Sequence, residues 1–182
     1  MKNSIFELMT AEAVKYQLTI TVFVFTFALP ALHIYLMYRL GKIKSIFLSK
    51  QNERTFPYIM TSLFYFGLFY LLFDIHIWET LKLIIFCSGV SILITALINI
   101  KYKISAHMVG IGGMVGLLVT MALLLKINLF LPLIVSILIS GIVGSSRIYL
   151  KEHKPNQIYS GFFLGFLSQL VVYILLDNFN FY

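Results

Sequence analysis

Hydrophobic positions in this chain run together in blocks rather than alternating with polar ones, and each block ends where charge resumes. The blocks are 18–36, 58–73, 83–100, 108–125, 127–143 and 158–176, and none contains a Lys, Arg, Asp or Glu. A helix rising 1.5 Å per residue needs about 20 residues to cross about 30 Å of hydrocarbon, and each block comes near that length. β-barrel strands would instead alternate over segments of about 10 residues, and the chain shows no such alternation. The pattern predicts an all-α integral membrane bundle of six transmembrane helices, with 1–182 as a single domain.

Details within the blocks refine this expectation. The first follows Lys2, Glu7, Glu12 and Lys15 and has no small-x-small cleavage pattern after it, so it reads as a retained span rather than a signal peptide. Pro30 removes one helical hydrogen bond inside that span and predicts a kink, as does Pro132 early in the fifth. The connection 41–57 is the longest and most charged. Its Ile43, Ile46 and Phe47 recur at helical spacing between lysines, the signature of an amphipathic segment lying on headgroups. Lys42, Lys44, Lys50, Arg54 and Lys126 read as topology determinants or snorkelling anchors outside any site. Asp74, His76, Trp78 and Glu79 read as an interfacial turn.

Composition leaves no room for a separate soluble domain. Of 182 residues 60% are hydrophobic and 12% charged, against about 25% charged in soluble domains. Mean hydropathy is +0.93. Six crossings use about 120 residues and leave about 60 for ends and connections. A single cysteine, Cys87, lies in an apolar block and excludes a disulfide framework or Cys-based metal site within one chain. The net charge of +7 fits topology signals and anionic headgroups, not nucleic acid.

Six crossings also fix which connections share a membrane face. The third carries Lys101, Lys103, Ser105 and His107, and the fifth carries Arg147, Lys151, Glu152, His153, Lys154 and Gln157; parity puts both on one side. The fourth and sixth spans start on that side, with Ser105 as an expected N-cap and Pro155 in a first turn, so two positive helix ends face one cationic region. That is an anion site. Cations repel a divalent metal and only Glu53 and Glu152 offer carboxylates there, so no metal or other cofactor is expected, and phosphate fits better. Gly112 and Gly116, and Gly161 and Gly165, are each four apart and predict close helix packing. His33, inside the first span, reads as a packing residue.

Two segments resemble motifs of the type 2 phosphatidic acid phosphatase superfamily. Lys103-Ile-Ser-Ala-His107 is similar to its second motif, Pro-Ser-Gly-His, and Ser146-Arg147-x5-His153-x3-Gln157 to its third, Ser-Arg-x5-His-x3-Asp. The superfamily's six-span core, with motifs before the fourth and sixth spans, also fits. The resemblance implies that His153 attacks phosphorus to give a phosphohistidine and that His107 protonates the leaving group. Arg147, Lys103, Lys101 and the backbone at Ser105 would hold phosphoryl oxygens. It implies a membrane lipid substrate: phosphatidate, phosphatidylglycerophosphate or a polyprenyl diphosphate. Three departures stand out. The first motif, Lys-x6-Arg-Pro, is absent just upstream of Ser105, Ile104 and Ala106 replace Pro and Gly, and Gln157 replaces the Asp that orients the histidine.

A catalytically impaired relative that binds phospholipid or scaffolds partners is the second reading. A small transporter is a third, disfavoured because His33 is the one ionisable residue at mid-span depth. Relatives make a bacterial inner membrane the expected location, with the site facing outward. A count of Lys and Arg in the connections points to the opposite sidedness.

Overall fold

The structure, a computed structural model, describes residues 5–48, 50–75 and 79–178. Among these it is all helix, with no strand. α1 (Ile5–Phe23), a π-helical turn (Val24–Ala28) and α2 (Leu29–Arg39) form one continuous rod, followed by α3 (Thr55–Leu72), α4 (Glu79–Lys101), α5 (Ala106–Leu125), α6 (Phe130–Tyr149) and α7 (Pro155–Asn178). Among the described residues five stretches are long and apolar enough to cross a membrane: Glu12–Arg39, Gln51–Leu72, Thr80–Lys101, Ala106–Leu124 and Phe130–Tyr149.

Burial runs opposite to that of a water-soluble bundle. On α6, Ser136, Ser140 and Gly144 are buried while Leu131, Leu138 and Ile142 are well exposed. Ser62, Ser91, Thr95, Asn99, Thr120 and Gln169 are likewise buried. Lipid tails accept apolar side chains as readily as a protein core does, so small and polar residues that pack closely or hydrogen-bond are drawn inward. These features are consistent with an integral membrane protein.

α5 and α7 form the tightest contact. A Cβ at Gly112 would overlap the Phe162 carbonyl, one at Gly116 the Phe166 carbonyl, and one at Gly165 the Val109 carbonyl. One at Gly161 would lie 2.7 Å from the Ser105 carbonyl oxygen. Both predicted glycine pairs therefore lie on the α5–α7 seam, each against the backbone at the other helix, and the close approach admits no side chain at these four positions. The Thr120 hydroxyl donates to the Gln169 carbonyl at 2.9 Å, and the Gln169 amide to the Ser88 hydroxyl at 2.9 Å, which ties α4 to the same seam.

Several local expectations change. At Pro30 the rod accommodates the missing N–H with the π turn just before it, a known remedy for a broken ladder. Pro132 causes no kink: α6 starts at Phe130, so Pro132 lies in the first turn, where N–H groups have no helical partner anyway. That late start follows from Lys126, left-handed at φ 51, and from Asn128, whose Oδ1 accepts the Phe130 N–H. Residues 43–47 form no amphipathic helix. Ile43 and Leu48 instead fold back and bury themselves with Met37, and Glu53 accepts the Lys44 N–H at 3.2 Å. Asp74 lies in a turn before α4, whereas His76 and Trp78 lie outside the described residues. His33 packs against Phe56 and Phe64 as a packing residue would, though its Nε2 is buried without a hydrogen-bond partner.

Candidate active site

Reversal at each connection brings the starts of α3, α5 and α7 and the ends of α2, α4 and α6 to one end of the bundle. Between them lies a cavity of about 740 Å³, lined by Ile46, Phe47, Leu48, Arg54, Tyr58, Ala106, His107, Arg147, Leu150, Glu152 and His153. His107 and His153, 46 positions apart, thus share one chamber with Arg147.

The five residues between Arg147 and His153 are used by a helix stop. Lys151 N–H bonds the Ile148 carbonyl and Glu152 N–H the Arg147 carbonyl, the Schellman pattern, with Lys151 at φ 55 where glycine is usual. His153 N–H also reaches the Arg147 carbonyl, at 3.3 Å. Pro155 then opens α7, and Gln157, in its first turn, reaches back to the Lys154 N–H at 3.0 Å in the manner of a capping box. The same Gln157 Oε1 lies 3.2 Å from His153 Nδ1.

These two contacts fix the tautomer. An atom that receives the Lys154 N–H must be the amide oxygen, so His153 Nδ1 carries the proton and donates. Nε2 is then left with its lone pair and accepts from Arg54 Nη1 at 3.4 Å. The ring is buried, at 7% exposure. Burial pushes its pKa below the ordinary histidine value, Arg54 pushes it further, and the Gln157 hydrogen bond partly opposes both.

Arg54 is the residue that sequence reasoning set aside. It is no snorkelling anchor: it is 6% exposed, its Nε donates to the Leu48 carbonyl, and its Nη2 is 3.7 Å from Glu152 Oε2. α4 holds it in place from behind. Asn99 Nδ2 donates to the Gln51 carbonyl at 2.8 Å and to Thr55 Oγ1 at 3.0 Å, and Gln51 Nε2 returns a bond to the Asn99 carbonyl at 2.7 Å. Two sequence features bear on it. A cation at a helix start opposes the helix dipole and needs a local anion or acceptor, and Asn99 is an amide inside an apolar block.

The other expected residues divide. Lys103 Nζ reaches Glu152 Oε2 at 3.5 Å, beside the cavity. Arg147 lines it, with its Nε buried and unpaired. His107, second residue of α5, lines it within electrostatic range of Arg147 and Arg54. Lys101 is exposed at the end of α4 and is not among the lining residues. Ser105 occupies the N-cap position of α5 without a capping side-chain bond, and its N–H is taken by the Gln157 carbonyl at 3.3 Å, so its backbone offers no free donor to an anion. Ser105 joins α7 to α5 instead. Among the described residues no group of three or more His, Cys, Asp or Glu could hold a metal ion.

A second cavity, of about 550 Å³, shares Tyr58 and Ala106 with the first and follows α5 down to Leu117, a rise of about 16 Å. Ile84, Ile92 and Met114 contribute apolar walls. The chain matches no protein-family profile, and neither curated proteins nor solved structures include a significant match to it.

Proposed function

We propose that this chain is an integral-membrane phosphatase of lipid phosphates or polyprenyl diphosphates, built on six spans with α7 as the sixth. The observation that carries the reading is His153: one ring nitrogen is held by Gln157 and the other faces a chamber lined by cations. In this mechanism Nε2 attacks phosphorus while the bond to the lipid oxygen breaks, and His107 delivers a proton to the departing alkoxide or phosphate. Arg54, Arg147 and Lys103 stabilise the equatorial oxygens. Water then attacks the phosphohistidine, with His107 taking its proton, and inorganic phosphate leaves. No metal takes part. The second cavity supports a lipid substrate, because it is mostly apolar, borders the chamber at Tyr58 and Ala106, and follows α5 away from it.

One observation favours a non-catalytic phospholipid binder instead. Gln157 is neutral and already caps α7, so it orients the histidine without stabilising the charge that attack creates. Phosphate release from detergent-solubilised protein given phosphatidate, phosphatidylglycerophosphate or undecaprenyl diphosphate separates the two. Release from at least one supports the phosphatase; binding of these lipids without release supports the binder.

A further inference from the structure

The cations of the chamber face an anion that belongs to the protein itself. Glu152 directly precedes His153, lines the same cavity, and places a single oxygen, Oε2, 3.7 Å from Arg54 Nη2 and 3.5 Å from Lys103 Nζ. Both separations are long for charge-assisted hydrogen bonds, which close to about 2.7–2.9 Å. The Glu152 side chain is 35% exposed, far more than Arg54 at 7%, so the acid can swing away while the arginine stays. A loose ion pair with one exposed partner contributes little and is easily exchanged. Arg54, moreover, now points Nη1 at His153 Nε2, the atom that must be free to attack.

The geometry points to Glu152 as a built-in anionic plug, a carboxylate that occupies the phosphate-binding cations of the empty site and is displaced by a phosphoryl dianion. This rests on the phosphatase reading of the chamber and adds a gate to it. The arriving phosphoryl oxygens take over Arg54 and Lys103, Glu152 turns outward, and Arg54 releases Nε2. Displacing the carboxylate costs every anion the same amount. The plug therefore keeps weakly held anions, such as the phosphodiester headgroups of the surrounding bilayer, out of the chamber while a tight ligand still enters. In population terms only the sites that the carboxylate leaves open bind an anion, and apparent affinity falls by that fraction.

The test is binding rather than turnover, on full-length protein in nanodiscs of phosphatidylcholine. Inorganic phosphate is titrated by calorimetry in one arm, and phosphatidate is included in the discs in a second, with thermal stabilisation as the readout. Glu152→Gln keeps size and removes charge, and should tighten phosphate by up to about fivefold; Glu152→Asp, still charged, should stay near wild type. A gain with free phosphate and phosphatidate alike assigns the plug to the phosphoryl group itself, and a gain with phosphatidate alone ties it to the lipid headgroup. Weaker or unchanged phosphate and phosphatidate binding in Glu152→Gln would overturn the plug, since it would make Glu152 a support for the cations. Equal phosphate binding by wild type and by Lys103→Met would instead count against the chamber as an anion site, and the plug with it.

Discussion

Between α5 and α7 backbone meets backbone, with Gly112, Gly116, Gly161 and Gly165 leaving no space for even a methyl group. Beside the helix starts lies a chamber of about 740 Å³ lined by Arg54, Arg147, Glu152 and two histidines. The seam is built from two helices alone and is intolerant of volume. The chamber is assembled from distant segments and governed by charge. The seam sets the distance between the starts of α5 and α7, so it also sets where Gln157 and His153 stand relative to His107.

The largest effect should come from volume at the seam. Gly165→Leu drives a side chain into the backbone of Val109 and Gly113, and overpacking of this kind costs about 1–3 kcal/mol or more. Gly141→Ala on α6 has open space around its Cβ and should be neutral or gain up to about 1 kcal/mol from helix propensity. Thermal unfolding in detergent reads both, and equal effects would erase the distinction between seam and exposed face.

The chamber should respond to charge instead. Gln157→Glu keeps the reach that holds His153 and Lys154 and replaces a neutral acceptor by a carboxylate. Charged acceptors are worth about 1–1.5 kcal/mol more than neutral ones, so turnover of a lipid phosphate should rise about tenfold with stability little changed.

Titration gives a smaller but directional effect. His153 titrates below the ordinary value of about 6.5, chiefly through burial and then through Arg54, and attack needs the uncharged ring. The acid limb that His153 sets should lie below about 6.5, and Arg54→Gln should move it upward. The stability sign follows: the unfolded chain takes up this proton at higher pH than the folded one, so the histidine's contribution is whole above about 6.5 and is lost as pH falls through its folded value. A pH profile of phosphate release and of melting temperature checks both.

The smallest change concerns the turn between the regions. Lys151 holds φ 55 in the helix stop, and Lys151→Gly should stabilise by about 0.5–1 kcal/mol without altering turnover.

What the sequence disclosed follows the same division. Helix blocks and glycine spacing are short-range patterns, so a helical bundle and close packing at these glycines were legible in the sequence, whereas the pairing of α5 with α7 was not. His153 and Gln157 were legible too, because four residues across a helix start bring side chains together. Arg54 was not: it acts on a residue 99 positions away, through a loop that looked amphipathic because Ile43 and Phe47 fit a helical period. In the fold Ile43 is buried at 3% and Phe47 exposed at 82%, a separation that no helical face would give. Ser105 misled in the other direction. A serine before a helix reads as a cap, yet its N–H serves the neighbouring helix and its hydroxyl is buried without a partner.

The central claim is that His153 forms the bond to phosphorus. Its most direct measurement is steady-state phosphate release from one lipid phosphate by wild type and by His153→Ala, with folding verified by thermal unfolding. Wild type should release phosphate and the variant none; equal release by a folded His153→Ala protein would rule out His153 as the nucleophile.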